Sequence, residues 1–325
     1  MDLTDRYKRV IDYMRVSITD RCNLRCLYCM PDGGKPVEYK EIMSYEEILR
    51  IIRVSSSLGV RKIRLTGGEP LARKNVQFLI REIKGIEGIE ELSLTTNGIL
   101  LSRYVDEIKE AGLDRLNVSL DSLRPERYRE ITGGGSLDKV IEGIERAHDV
   151  GLRPVKLNVV VIRGINDDEI EDFAGFTLTR PYQVRFIEFM PGKGNHWTED
   201  LCVSSEEIKR RIEAVAHLEP VRLRRHGPAR YYRFRGGTGV VGFISAISHH
   251  FCSDCNRLRL TAEGKIRPCL FSETEIDLRA ALRMGASDEE LGRLLRLAVE
   301  VKPEGHMIGR DTHKEINIPM SKIGG

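Results

Sequence analysis

The sequence predicts an α/β fold, an incomplete (β/α)6 barrel of the TIM-like kind followed by an α+β extension. From Met14 to about Met190, short strand-like runs alternate with amphipathic helices, and six such units in a row build a parallel sheet, either open or curled into a partial barrel. The strand-like runs alternate polar and apolar residues, whereas parallel strands buried on both faces are almost continuously apolar. This alternation favours a partial barrel with a polar lumen; strands that face water are the alternative.

Six strands are predicted between the turn residues. They are Met14–Ile18, Lys62–Leu65, Leu92–Thr95, Leu116–Leu120, Val155–Val161 and Val184–Phe189. Five of them carry paired polar residues on one face, namely Arg15 and Ser17, Lys62 and Arg64, Ser93 and Thr95, Asn117 and Ser119, and Lys156 and Asn158. A filled barrel core would not place such residues inside, so the pattern predicts an open lumen that holds a polar, anionic ligand.

Helix start signals follow the strands. Ser44 and Glu47 form a capping-box pair ahead of an apolar helix face. Ser102 and Ser136 are the predicted first residues or N-caps of two later helices.

The loop after the first strand holds three cysteines, Cys22, Cys26 and Cys29, in a C-x3-C-x2-C spacing. Three thiolates within eight residues suit a metal or metal–sulfur cluster better than a disulfide framework. A [4Fe–4S] cluster usually takes four ligands, so three would leave one iron open to a substrate. A zinc knuckle with a fourth ligand from elsewhere is the alternative.

Further unusual residues follow the predicted strands, where the active sites of barrels form. They lie at Thr66–Pro70, Thr95–Gly98, Ser119–Ser122 and Met190–Gly192. We therefore expect these strand ends and the cysteine loop to share one mouth.

A second cysteine set comes after residue 190. Cys252, Cys255 and Cys269 again supply three thiolates, and His249 or His250 could complete a zinc site. A second cluster with its own open iron is the other interpretation.

The remaining features of this C-terminal region have a plain and a functional interpretation. Arg257 and Arg259 share one face if they lie on a strand, where their guanidinium groups suit phosphate or the acceptor edge of a base. Arginines are dense over Arg222–Arg235, which fits an anionic ligand or a solvated face. The tail ends in Gly324-Gly325, which is either frayed or slim enough to enter a narrow site.

The composition of the 325 residues is ordinary for a soluble globular protein. A net charge of +3 is too small to indicate nucleic acid or a membrane as partner. No apolar run approaches the ~20 residues of a membrane span, and the N-terminus does not resemble a signal peptide. We expect a cytoplasmic protein, in which seven reduced cysteines indicate metal chemistry rather than disulfides.

The motifs together resemble a known family. The cysteine loop with Tyr28, followed by Gly67-Gly68-Glu69-Pro70, looks like the radical S-adenosylmethionine (SAM) superfamily. The run from Phe251 to Leu260, the Arg-Pro-Cys-Leu-Phe around Cys269 and the Gly-Gly end narrow the resemblance to the GTP 3′,8-cyclases of molybdenum-cofactor biosynthesis. The resemblance runs from about Tyr13 to Gly325.

The resemblance implies two [4Fe–4S] clusters, on Cys22, Cys26 and Cys29 and on Cys252, Cys255 and Cys269, the second with its open iron facing guanine. It implies that Tyr28, Gly68, Ser119 and Met190 bind SAM. It implies that GTP is bound by Arg15, Lys62, Arg64, Thr95, Lys156, Arg257, Leu258 and Arg259.

The implied activity is the radical conversion of GTP to 3′,8-cyclo-7,8-dihydro-GTP. A barrel domain at 1–190 and a C-terminal domain at 191–325 would carry out this activity together. The implied partners are a flavodoxin or ferredoxin as electron donor and cyclic pyranopterin monophosphate synthase as recipient of the product, with a monomer or homodimer as assembly. The alternatives are a peptide-modifying radical enzyme with auxiliary clusters and a non-catalytic zinc-binding module.

Overall fold

The computed structural model describes residues 2–30, 36–223 and 227–306, and the fold is that of these ranges. The strands are β1 (Tyr13–Ser17), β2 (Lys62–Thr66), β3 (Glu91–Thr96), β4 (Arg115–Ser119), β5 (Lys156–Val161), β6 (Gln183–Glu188), β7 (Leu218–Val221), β8 (Arg230–Phe234), β9 (Val240–Ile244), β10 (Arg257–Leu260), β11 (Lys265–Arg267) and β12 (Ile276–Asp277). The helices are α1 (Tyr45–Ser57), α2 (Val76–Lys84), α3 (Leu101–Glu110), α4 (Pro125–Thr132), α5 (Leu137–Asp149), α6 (Ile170–Thr179), α7 (Ser205–Val215), α8 (Leu278–Arg283) and α9 (Asp288–Glu300).

A single sheet contains all twelve of these strands, in the order β12-β11-β10-β1-β2-β3-β4-β5-β6-β9-β8-β7. The six predicted β/α units supply β1 to β6, which are parallel as expected. The C-terminal region then adds β10 parallel to β1 and β9 parallel to β6. Eight parallel strands therefore lie side by side, and antiparallel strands extend both edges.

The apolar faces of the strands form the core. Leu65, Leu94, Val118 and Phe186 are fully buried and belong to one cluster with the helices. Burying a side chain of this size contributes roughly 1.5–3 kcal/mol, so these faces hold the helices against the outside of the sheet. The polar faces are thereby left on the inside, as the alternation predicts.

Helix boundaries follow the predictions in part. Ser44 and Glu47 form the reciprocal capping box of α1, with Ser44 N donating to Glu47 Oε2 at 2.8 Å. The prediction for Ser102 is wrong, because α3 begins at Leu101. The turn before α3 is fixed by Asn97, whose Oδ1 accepts a hydrogen bond from the amide of Ile99, so the chain enters the helix before Ser102.

Among the described residues, no helix has the length and apolar character that crossing a membrane requires.

Candidate functional site

A cavity of about 460 Å³ lies on the inner face of the sheet. All eight parallel strands contribute side chains to its wall. Its basic lining residues in the described chain are Arg15, Lys62, Arg64, Arg115, Lys156, Arg185, Arg257 and Arg259. The acidic lining residue there is Glu91. The cavity therefore carries a large excess of positive charge.

Strand register places like charges next to one another. Arg15 on β1 is the direct partner of Arg259 on β10 and of Arg64 on β2. Like charges directly opposite each other destabilise a sheet. This row of three guanidinium groups is therefore costly for the fold alone, which is typical of a binding site.

The pKa values of the cavity residues reflect the same excess of positive charge. Burial, together with the neighbouring Arg259, holds the pKa of Arg15 well below its usual range. Burial and then the charge of Arg257 lower the pKa of Arg259 to about 10. Burial and the charge of Arg185 lower the pKa of Lys156 to about 6. A polyanion in the cavity would reverse these shifts by supplying the missing negative charge.

Some of the cavity cations have polar partners, namely Asp12 just outside the lining and Asn158 within it. Lys62 Nζ pairs with Asp12 Oδ2 at 2.7 Å, and Arg185 donates to Asn158 Oδ1 at 2.5 Å. The buried hydroxyl of Tyr13 has no hydrogen-bond partner among the described residues. Such a group suits contact with a polar ligand, because leaving it unpaired costs about 1–3 kcal/mol.

The first cysteine loop follows β1 and lies against α4. The amide of Arg25 donates to Thr132 O at 2.9 Å, and that of Leu27 donates to Ile131 O at 3.0 Å. Burial raises the pKa values of Cys22 and Cys26, and nearby Asp121 raises that of Cys26 further. Thiols that are costly to ionise alone suit a bound cationic metal, which stabilises their thiolate forms.

Two glycines after β2 pack directly under this loop. A Cβ atom on Gly67 would lie 2.3 Å from Thr19 O, and one on Gly68 would lie 2.3 Å from Arg21 O. The amide of Gly68 donates to Thr19 O at 2.7 Å. Only glycine allows the backbone to approach so closely, and this contact fixes the path of the chain into Cys22.

Glu69 is a structural partner that the sequence interpretation did not assign. Its buried carboxylate accepts hydrogen bonds from the hydroxyl of Thr96 at 2.8 Å and the amide of Asn97 at 2.7 Å. Asn97 Nδ2 in turn donates to Cys22 Sγ at 3.7 Å. Burial raises the pKa of Glu69 to about 7. Glu69 thus links the end of β3 to the cysteine loop.

Asp121 and Asn195 contact two of the predicted SAM-binding residues, Tyr28 and Met190. The hydroxyl of Tyr28 donates to Asp121 Oδ2 at 2.7 Å, and burial raises the pKa of Asp121 to about 6. Asn195 Nδ2 donates to Tyr28 O at 3.2 Å and to Met190 O at 2.9 Å. The structure therefore brings Tyr28 and Met190 together through Asn195.

The second cysteine set lies at the opposite end of the strands. Cys22 follows the carboxyl end of β1, whereas Cys255 precedes the amino end of the parallel strand β10. Cys252, Cys255 and Cys269 all line the cavity. Although burial raises it, the nearby charges of Arg257 and Lys302 lower the pKa of Cys255 to about 6. The cations of the cavity thus lie between two cysteine sets.

The zinc alternative needs a histidine as fourth ligand of the second cysteine set, and both candidate histidines have other contacts in the structure. Within ranges 2–30, 36–223 and 227–306, no three Cys, His, Asp or Glu side chains are placed to hold one metal ion. His249 contacts Ser248 and Glu206, and the His250 ring packs against that of His306 at 4.1 Å.

The predicted GTP-binding residues fall into two groups. Arg15, Lys62, Arg64, Lys156, Arg257 and Arg259 line the cavity. Thr95 accepts a 3.4 Å hydrogen bond from Asn117, and the side chain of Leu258 is buried in the core on the opposite face of β10. Any contact of Leu258 with a ligand in the cavity would therefore come from its main chain.

Sequence reasoning missed Arg115 and Arg185, which also line the cavity. The alternation of Arg185 with Val184 and Phe186 is a signal that could have found it. Most of the arginine-dense stretch forms β8 and its flanks, while residues 224–226 and the tail at Gly324-Gly325 lie outside the described residues.

Family models match nearly the whole chain. The model "Radical SAM superfamily" matches residues 16–177. The model "Molybdenum Cofactor Synthesis C" matches residues 182–308.

Curated relatives are similar over the full length. The chain is 50% identical over 326 residues to the GTP 3′,8-cyclase of Thermodesulfovibrio yellowstonii, covering 99% of this chain and 100% of that protein. It is 51% identical over 327 residues to the GTP 3′,8-cyclase of Heliobacterium modesticaldum, with the same coverage.

Solved structures share the fold. Streptococcus suis SuiB bound to S-adenosylmethionine has a TM-score of 0.63 at 15% identity, covering 89% of this chain and 69% of that chain. Methylornithine synthase (PylB) has a TM-score of 0.51 at 19% identity, covering 63% of this chain and 62% of that chain.

Proposed function

This chain belongs to the GTP 3′,8-cyclase family of the radical SAM superfamily, and we propose that its cavity binds GTP and joins C3′ to C8 of that nucleotide. The product would be 3′,8-cyclo-7,8-dihydro-GTP. The observation that carries the proposal is the polar cavity, in which eight basic side chains face one carboxylate in the described chain. A nucleoside triphosphate supplies both the negative charge and the polar base edge that such a wall can bind.

The first cysteine set would hold a [4Fe–4S] cluster through Cys22, Cys26 and Cys29. When bound, this cluster and SAM supply the one-electron chemistry that starts the reaction. The glycine contacts under the loop and the hydrogen bond from Asn97 to Cys22 support this assignment, since they fix the path of the loop that carries the thiols. Tyr28, Gly68, Ser119 and Met190 would bind SAM beside it.

The second cysteine set would hold another [4Fe–4S] cluster through Cys252, Cys255 and Cys269. Its support is the position of all three thiols in the cavity wall, beside Arg257 and Arg259. A cluster there would meet the end of the nucleotide opposite the first cysteine loop.

The chain's own task is to position the nucleotide. Arg15, Arg64 and Arg259 form a row across three strands and would hold the triphosphate at several points at once. A nucleotide fixed in this way has one orientation, so C3′ and C8 keep the approach that ring closure needs. We assign the same role to Lys62, Thr95, Lys156, Arg257 and Leu258.

The wider setting follows from the same family. We propose an electron donor such as flavodoxin or ferredoxin, transfer of the product to cyclic pyranopterin monophosphate synthase, and action in the cytoplasm as a monomer or homodimer. The division into domains at 1–190 and 191–325 remains our proposal as well.

The decisive test is product analysis. Anaerobically reconstituted protein is incubated with reductant, SAM and either GTP or ATP, and the products are identified by mass spectrometry. GTP should give a cyclised dihydro-nucleotide together with 5′-deoxyadenosine. Deoxyadenosine without a change in GTP contradicts the proposed substrate.

A second test addresses the binding residues. Changing Arg257 and Arg259 together to Ala should weaken GTP binding at least about tenfold by calorimetry, since two charge-assisted contacts are lost. SAM cleavage should remain detectable. The paired change Arg293→Ala and Arg296→Ala, on the exposed face of α9, is the control and should leave affinity unchanged. Equal GTP affinity in both double variants contradicts the assignment.

A further inference from the structure

A buried ammonium group lies directly behind the second cysteine set. The whole residue Lys302 is only 2% exposed. Its Nζ donates to Pro268 O at 2.6 Å, to Arg257 O at 2.9 Å and to Cys255 Sγ at 3.6 Å. Lys302 follows α9, far from the cysteines in sequence, and its side chain does not line the cavity.

Lys302 contacts both of the chain segments that carry the second cysteine set. Arg257 follows Cys255 by two residues, and Pro268 immediately precedes Cys269. One side chain therefore ties the two segments that carry these thiols. Burying an ammonium is costly unless acceptors compensate, and here two carbonyls and a sulfur do so.

Arg9 provides a useful contrast. It also reaches this region from a distant segment, but its guanidinium group donates to the carbonyls of Cys252, Pro303 and Glu304 and to the carboxylate of Asp5. These contacts brace the backbone. Lys302 differs in placing a positive charge and an N–H donor against a thiol sulfur.

We propose that Lys302 is a positioning residue that raises the reduction potential of the second cluster through Cys255. The inference rests on the proposed second cluster. Hydrogen bonds to ligand sulfurs and the local net charge set the potentials of iron–sulfur clusters. Reduction adds negative charge, and a fixed cation in a site of low dielectric stabilises that charge more than it would in water. A higher potential makes this cluster a better electron acceptor than it would be without the ammonium group.

The test compares Lys302→Met, which keeps the length but removes the charge, with Lys302→Arg, which keeps the charge. Full-length reconstituted protein is titrated with reductant and followed by electron paramagnetic resonance. The signal that GTP perturbs and SAM does not is assigned to the second cluster. Lys265→Met, a change at a half-exposed lysine on β11, is the control.

Lys302→Met should hold as much iron as the unsubstituted chain but have an equilibrium constant for reduction about tenfold smaller. For a one-electron couple that is about 59 mV towards more negative potential. Lys302→Arg and Lys265→Met should stay within a threefold change. An unchanged potential in a fully loaded Lys302→Met protein overturns the inference.

A purely structural role gives a different result. If Lys302→Met loses the second cluster, Lys302→Gln is examined in the same way; loss of the cluster in both variants overturns the proposed effect on potential. Failure of the proposed second cluster is recognised separately, because the unsubstituted chain would then hold about four irons rather than about eight. Failure of the proposed function is recognised by product analysis, because GTP would then remain unchanged.

Discussion

Lys156 is held in the cavity at the expense of stability. It lies on β5 among Arg185, Arg64 and Arg115, and the pKa of its ammonium falls to about 6, first through burial and then through these charges. The unfolded chain, with an ordinary pKa of 10.5, binds a proton that the folded chain lacks between these two pH values. The penalty is therefore complete below pH 6 and fades as the pH rises towards 10.5.

Lys156→Met should accordingly stabilise the nucleotide-free protein and weaken GTP binding. The gain should be largest near pH 6 and shrink with increasing pH, by up to about 1.4 kcal/mol per unit. Thermal melting between pH 6.5 and 9, with calorimetry of GTP binding, measures both effects. The exposed Lys139→Met is the control and should change neither. A constant difference in melting temperature over this pH range contradicts the explanation.

At the scale of elements, the turn after β2 supports the cysteine loop after β1. The two strands pair in parallel, so their carboxyl ends deliver both segments to the same edge. There the Gly68 backbone contacts Arg21 with no room for a side chain. The glycine pair after β2 and the cysteine loop after β1 thus come into contact only because the two strands pair.

Gly68→Ala should displace this loop, because the new Cβ would lie 2.3 Å from Arg21 O. We expect reconstituted iron to fall towards half, by loss at the first site, while GTP binding stays within a few-fold. Iron analysis and calorimetry measure these outcomes.

The control is Gly175→Ala on α6, where a Cβ would meet nothing within 4 Å. Alanine is favoured over glycine inside a helix by about 1 kcal/mol, so this change should be neutral or stabilising. Full iron content in Gly68→Ala would show that the contact does not hold the loop.

At the scale of the whole molecule, the C-terminal region completes the cavity from both sides. Residues after 190 supply β9 beside β6 and β10 beside β1, so the binding wall is assembled from both ends of the chain. A ligand that contacts β1, β2, β5 and β10 together should hold these parts to one another. Its binding is therefore coupled to the stability of the entire sheet.

GTP should raise the melting temperature by several degrees. A ligand at one hundred times its dissociation constant adds about 2.7 kcal/mol to the free energy of unfolding. Guanosine, which lacks the phosphates, should have a much smaller effect, and added salt should reduce the effect of GTP by screening. Equal stabilisation by guanosine would mean that the row of arginines does not bind the triphosphate.

Much of this arrangement is visible in the sequence because it depends on local periodicity. The alternation of Arg15, Lys62 and Lys156 with apolar residues correctly predicts the polar inner face. Sequence reasoning placed the ligand at the carboxyl ends of the strands, whereas the cavity also extends to their amino ends, where Lys62 and Lys156 are the first residues of β2 and β5.

The sequence by itself determined the two three-cysteine sets, the six β/α units and the charges of the inner face, because spacing and side-chain chemistry are local properties. Only the tertiary structure decided that β10 pairs with β1, which brings Arg259 beside Arg15 across 244 positions and places the cysteine sets at opposite ends of parallel strands. It alone revealed Lys302 behind Cys255. Which distant strands pair depends on the burial of whole strand faces in the folded chain. A local sequence pattern does not contain that information, so it cannot predict which strand will be the neighbour.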